Sequence, residues 1–204
     1  MSQYEEEEER IKVILVGSSG VGKTSLINSL IGKSFKEDES STISANYQMK
    51  NYNINKNYDL AVWDTAGQEK YRSMTKLFFK NAKICILVYD VTNKQTFDDL
   101  NNWLYLLKDI EKDDVILGVV GNKADLFIRE EVREEEAKDY ANSIKAKFSL
   151  VSAKENSISF DNFVKELLEE YISKNIRKNN PEEKKITINI QKNDMNKKKK
   201  KKFC

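Results

Sequence analysis

The chain has no histidine among its 204 residues. Triads and metal sites that depend on an imidazole are therefore excluded. Its two cysteines, Cys85 inside an apolar run and Cys204 at the end of the sequence, supply no disulfide framework. No run of apolar residues is long enough to span a bilayer. The opening stretch holds five consecutive glutamates, Glu5 to Glu9, and does not resemble a secretory signal. These absences point to a chain made for the cytosol. The length fits one domain with a full core and room for a tail.

The net charge of +2 conceals a division. Residues 174–204 carry twelve Lys/Arg against three Asp/Glu, a net of +9, which leaves −7 on residues 1–173. An acidic body therefore carries a basic tail, whose natural partner is an anionic surface, either membrane or nucleic acid. From residue 174 onward the chain is rich in Asn and Lys, holds the sole proline, Pro181, and contains six consecutive lysines, Lys197 to Lys202. Such a composition buries too little apolar surface to offset chain entropy, so disorder is expected there. The alternating segment Ile186 to Ile190 is read as an isolated apolar patch within that tail.

The most informative stretch is Gly17-Ser18-Ser19-Gly20-Val21-Gly22-Lys23-Thr24-Ser25. It follows the apolar run Ile11 to Val16, a buried strand by its composition, and leads into Leu26, Ile27 and Leu30 at helical spacing. In a strand–loop–helix setting, G-x-x-x-x-G-K-[ST] has a physical meaning. The glycines let the backbone close round an anion, and successive N–H groups and the helix N-terminus point at phosphate oxygens. Lys23 then reaches the β/γ-phosphates and the Thr24 hydroxyl a Mg²⁺ ion. The loop alone fixes neither base nor reaction.

Further along, Gly32 is a helix stop and Lys33 to Ser44 a loop. Tyr47 to Ile54 and Tyr58 to Trp63 read as a hairpin across the turn Asn55-Lys56-Asn57. A helix is expected in the polar segment before Asn81. Ile84 to Tyr89 is strand-like, and Phe97, Leu100, Leu104 and Leu107 recur at helical spacing. Val115 to Val120 is a strand, Glu130 to Ile144 an exposed helix, Phe148 to Val151 a short strand and Phe160 to Ile172 an amphipathic helix. The alternation predicts an α/β fold: a six-stranded, mostly parallel sheet with one antiparallel hairpin, helices on both faces, and sites at the C-terminal strand ends.

Three polar clusters fall at those strand ends. Asp64 is either a turn former or a carboxylate that holds Mg²⁺ opposite the phosphate loop. Asn122-Lys123-x-Asp125 is either a polar turn or a base-reading group. Its carboxylate suits the adjacent ring N–H and amine of guanine, a donor pair that adenine lacks. Ser152-Ala153-Lys154 follows the sixth strand.

Taken in order, these motifs, with Thr42 and Asp64-x-x-Gly67-Gln68 between them, make the chain resemble a small GTPase of the Ras superfamily, within it the Rab branch. The resemblance covers about residues 10–173 and implies a P-loop NTPase G domain that binds GTP and GDP with Mg²⁺. It casts residues 1–9 as an acidic flexible N-terminus and 174–204 as a basic hypervariable tail. It implies that Phe35 packs edge-on against guanine, that Thr42 binds Mg²⁺ and the γ-phosphate, and that Gly67 donates its N–H to that phosphate. Gln68 would orient the attacking water, Asp125 read the base, and Ala153 complete the pocket.

The Rab assignment rests on Ser41-Thr42-Ile43, Trp63-Asp64-Thr65-Ala66-Gly67-Gln68-Glu69, Tyr71-Arg72-Ser73 and Leu87-Val88-Tyr89-Asp90-Val91-Thr92. Ile43, Tyr47, Trp63 and Phe78 would form the effector surface. Ser44-Ala45-Asn46 departs from the usual first switch, and Ser19 stands where some relatives need glycine. The resemblance further implies a monomer that cycles between cytosol and the cytoplasmic face of an intracellular membrane and regulates vesicle traffic. Its partners would be an exchange factor, a GTPase-activating protein, effectors and an escort or dissociation-inhibitor protein, and no nucleic acid is expected. Cys204 would carry one prenyl group beside the lysine run, two signals that together anchor stably. Rival readings are a P-loop ATPase or kinase, opposed by Asn122-Lys123-x-Asp125; a module that holds GTP without cycling, opposed by Gln68; and a nuclear transport relative, opposed by Cys204.

Overall fold

The structure is a computed structural model that describes residues 10–37, 42, 46–65, 78–110, 115–155 and 157–179. Ile43, Gly67, Gln68, Cys204, the acidic start, the helix expected before Asn81 over most of its length, and the tail beyond residue 179 lie outside the described residues.

The described strands are β1 (Ile11–Val16), β2 (Asn46–Asn53), β3 (Asn57–Asp64), β4 (Ile84–Asp90), β5 (Ile116–Asn122) and β6 (Lys147–Leu150). They form one sheet in the order β2-β3-β1-β4-β5-β6. β2 runs antiparallel to β3, and every other neighbouring pair is parallel. The mostly parallel sheet with one hairpin is thus as the alternating pattern predicts.

Burial follows position in the sheet. All seven residues of β4, at the centre, are buried. A parallel strand covered on both faces needs such a continuous apolar run. At the edge, β2 (Asn-Tyr-Gln-Met-Lys-Asn-Tyr-Asn) buries only Tyr52. Its polar side chains suit a strand with one side unpaired.

The helices bounded within the described residues are α1 (Lys23–Leu30), α2 (Lys94–Asp98), α3 (Leu100–Ile110), α4 (Glu134–Ser143) and α5 (Ser157–Asn179), with a 3₁₀ turn at Ala124–Arg129. α1 stops where expected: Gly32 takes a left-handed φ of 77°, its N–H bonds the Ser29 carbonyl, and that of Lys33 bonds Asn28. On one face of the sheet, Ile14, Val16, Leu87 and Val119 pack in one cluster with Phe97, Leu100, Trp103 and Leu107 and with Ala137 and Ala141 of α4. On the other face Phe163 and Leu167 of α5 close against Gly118.

Three helix boundaries differ from expectation. The apolar spacing from Phe97 to Leu107 spans two helices, because Asp99 interrupts the run. α4 begins at Glu134 and not at Glu130, since the N–H groups of Glu131 and Val132 both go to the Val91 carbonyl, at 2.8 and 3.3 Å. α5 starts earlier than Phe160 and runs past Ile172 to Asn179. The chain divides into two compact units, Met1–Leu167 and Leu168–Cys204. In the second, the helical turn is supported by a Lys174–Glu170 ion pair at 2.7 Å and by the Ser173 hydroxyl donating to the Glu170 carbonyl.

Candidate functional site

The phosphate loop leaves β1 at Gly17 and enters α1 at Lys23. A Cβ on Gly17 would run into the Val88 carbonyl oxygen, and one on Gly22 (φ 92°) into the Asn122 amide. Both glycines are thus required by the packing of the loop against β4 and β5, before any ligand is considered. Val21 is fully buried, and its carbonyl accepts a 2.8 Å bond from Asn122 Nδ2.

Lys23 is only 5% exposed, and its ammonium donates to the carbonyls of Gly17 (2.8 Å) and Ser18 (3.0 Å). Burial pushes its pKa down to about 8, with the Asp64 carboxylate working in the opposite direction. A second anionic group at the loop would favour the charged form. Ser18, by contrast, turns away and donates to Asp99 Oδ2 at 3.2 Å, which ties the loop to the junction between α2 and α3.

Three oxygens converge beside Lys23. Thr24 Oγ1 donates to Asp64 Oδ2 at 2.7 Å, Thr42 Oγ1 donates to the same oxygen at 3.2 Å, and the two hydroxyls are 2.8 Å apart. The neighbouring Thr65 hydroxyl donates to the Leu15 carbonyl at 2.7 Å and holds the end of β3 to β1. An all-oxygen set with one carboxylate suits a hard divalent cation, with further ligands left to water and phosphate.

At the far end, Asn122 is 1% exposed and bridges two loops: Nδ2 to Val21, and Oδ1 accepting the Ala153 N–H at 3.2 Å. Lys123 adopts a left-handed φ of 66°, and its ammonium pairs with Asp90 Oδ2 at 2.5 Å. Ser152 donates to Asp125 Oδ1 at 2.6 Å and accepts the N–H groups of Lys154 and Glu155 at 3.2 and 3.0 Å. Lys154 stands 5.9 Å from the centre of the Phe35 ring and pairs with Glu37 at 3.1 Å. That carboxylate raises the Lys154 pKa.

Between the two ends lies a cavity of about 460 Å³, a size that holds a small-molecule ligand. Ser19, Gly20, Gly22, Thr24 and Ser25 line it, as do Phe35, Thr42, Lys123, Asp125 and Ala153. Gly17, Ser18, Val21, Asp64 and Ser152 act from behind the wall. Lys36, Glu37 and Leu126 also line the cavity and were not singled out in the sequence, while Thr65, which lines it too, and Asp90 appear there only within quoted motifs and with no role of their own. Asp90 carries the same signal as Asp64, a carboxylate closing an apolar strand. Away from the cavity, Tyr47, Trp63 and Phe78 stack in series with centroids 5.1 and 6.1 Å apart, and the Lys12 ammonium lies 4.7 Å from the Trp63 ring.

Comparison with known proteins decides what this arrangement belongs to. Residues 12–174 match the model of the Ras family. Human Rab-22A is 38% identical over 152 residues, covering 74% of this chain and 78% of the relative. RabC of Dictyostelium discoideum is 37% identical over 155 residues (74% and 79%), and human Rab-12 is 36% identical over 167 (81% and 68%). The chain belongs to the Ras family, in its Rab branch. As a Rab-type GTPase it binds guanine nucleotide, hydrolyses GTP and acts as a switch in membrane traffic. Among the described residues, no helix of this Rab-type chain is long and apolar enough to cross a membrane.

Proposed function

We propose that residues 10–173 form the G domain, in which Lys23 holds the β- and γ-phosphates of GTP, Asp125 reads the guanine edge and Phe35 packs edge-on against the guanine. Thr24, Thr42 and Asp64 would hold Mg²⁺, which, when bound, neutralises developing phosphate charge. Gln68 orients the attacking water, and the Gly67 N–H binds the γ-phosphate. When that phosphate leaves, Thr42 and Gly67 lose their partner and the segments Lys33 to Ser44 and Thr65 to Phe79 relax. The observation that carries this reading is the meeting of the Thr24, Thr42 and Asp64 oxygens within 2.7–3.2 Å, beside Lys23.

Hydrolysis is slow alone, since the phosphate loop contains no arginine and the nearest in sequence, Arg10, precedes the opposite end of β1. An activating protein then supplies one in trans, worth on the order of 10³ to 10⁵ in rate. Single-turnover measurement on the purified chain is expected to give slow cleavage that a GTPase-activating protein accelerates, with Gln68→Leu abolishing the acceleration. Rapid turnover with no partner overturns the reading.

Effectors dock on Ile43 and the Tyr47–Trp63–Phe78 series in the GTP state, and an exchange factor reloads the site. The basic tail faces an anionic leaflet, where each lysine contributes about 1 kcal/mol, and Cys204 carries a prenyl group that an escort or dissociation-inhibitor protein shields in the cytosol. Incubation with Rab prenyltransferase, its escort protein and a geranylgeranyl donor is expected to add one lipid by intact mass, and none to Cys204→Ser. An unchanged mass in the parent rules out this anchor.

A further inference from the structure

The roof of the cavity is held by one ammonium group. The Lys154 backbone is fixed from below, because its own N–H and that of Glu155 both bond the Ser152 hydroxyl, which in turn donates to Asp125. Its side chain crosses to the segment that follows α1 and meets it twice, over the Phe35 ring and at the Glu37 carboxylate 3.1 Å away. Phe35, Lys36 and Glu37 are all exposed and line the same cavity as Ala153 and Lys154. The pair therefore joins the two lips of the opening.

We infer that Glu37 and Lys154 form an electrostatic clasp across the mouth of the guanine pocket, and that this clasp sets the rate at which nucleotide leaves. Glu37 is a positioning residue: it acts through Lys154 and Phe35, and requires no contact with the nucleotide. The inference rests on the assignment of this cavity to the nucleotide. A ligand seated beneath Phe35 leaves only after the Phe35 to Glu37 segment lifts, and lifting separates the two charges. Both side chains are largely in solvent, 51% for Lys154 and 77% for Glu37, so the pair is weak and open to screening by salt. A weak, screenable clasp changes the rate of opening and leaves the fold intact.

The test is stopped-flow release of a fluorescent, non-hydrolysable GTP analogue from the full-length chain, chased with excess GTP, in parent and Glu37→Gln, at low and high ionic strength. At low salt, Glu37→Gln is expected to release about two- to fivefold faster, the range of exposed ion pairs. Raising the salt should speed the parent and bring the two rates together. Glu37→Lys should be faster still, and the exchanged pair Glu37→Lys with Lys154→Glu should recover slow release relative to either single reversal. That recovery and the salt dependence are readouts which mere packing would not move. Tight binding with equal parent and Glu37→Gln release rates at low salt overturns the clasp and leaves the pocket assignment standing. Failure of the parent to hold the analogue at all overturns both.

Discussion

The phosphate end and the base end of the cavity are built by opposite means. At the phosphate end, one contiguous loop turns its carbonyls inward on Lys23 and is closed by backbone packing on β4. At the base end, Asn122, Lys123 and Asp125 are each held by a group from elsewhere in the chain: Val21 and Ala153, Asp90, and Ser152. A loop's own amides and one lysine suffice to gather around a compact anion. A flat ring has to be met at its edge and face together, and a short loop does not reach all of them. One side chain, Asn122, belongs to both ends.

Lys23→Ala tests the first half of this contrast and has the largest expected effect. Removing a buried charge that faces phosphate costs on the order of 2–5 kcal/mol, so GDP affinity by calorimetry should fall by roughly thirty- to several-thousandfold. The base end should be unaltered. Asn122→Ala attacks the junction. It strands the Val21 carbonyl and the Ala153 N–H, each worth about 1–3 kcal/mol when left unpaired. Here affinity and the melting temperature of the nucleotide-free protein should fall together, the latter by several degrees. A melting temperature unchanged in Asn122→Ala would mean that the ends are independent after all. Ser152→Ala is the mildest. It frees Asp125 and two backbone N–H groups at a site with access to water, so about 1 kcal/mol of guanine affinity should be lost, with phosphate binding kept. Comparing GDP with inorganic pyrophosphate as ligands would show whether that loss is confined to the base end.

The same contrast explains what was legible in the sequence. The phosphate loop is a local motif between a local strand and a local helix, and every part of it can be read in one pass. The strands were legible because burial on two faces demands uninterrupted apolar runs, as in β4, and the hairpin because polar, turn-forming residues interrupt the two runs, although the turn itself is Ile54 to Lys56 and Asn57 already pairs with Asn53. Helix starts were less so. Nothing local in Glu130 to Arg133 tells that two of its N–H groups are spent on Val91, about forty residues away in the chain, or that Asp99 splits an apolar spacing which looks continuous. In the site, Glu37 escaped notice and Asp90 was given no role of its own, for the same reason. A lone acidic residue has no meaning until the lysine it meets is known, and both lysines lie in motifs more than thirty residues downstream.

The strand order also carries a consequence for how the chain is made. β1 is synthesised before β3 and β4 yet lies between them, so neither of its edges is covered until those later strands exist. The brace on Val21 comes later still, from Asn122, and the last wall of the cavity from Ala153. At a translation rate of about 5–20 residues per second, the finished phosphate loop waits several seconds for its supports. Nucleotide therefore offers no help to the emerging N-terminal half, and the growing chain depends during that interval on whatever shields its apolar strands.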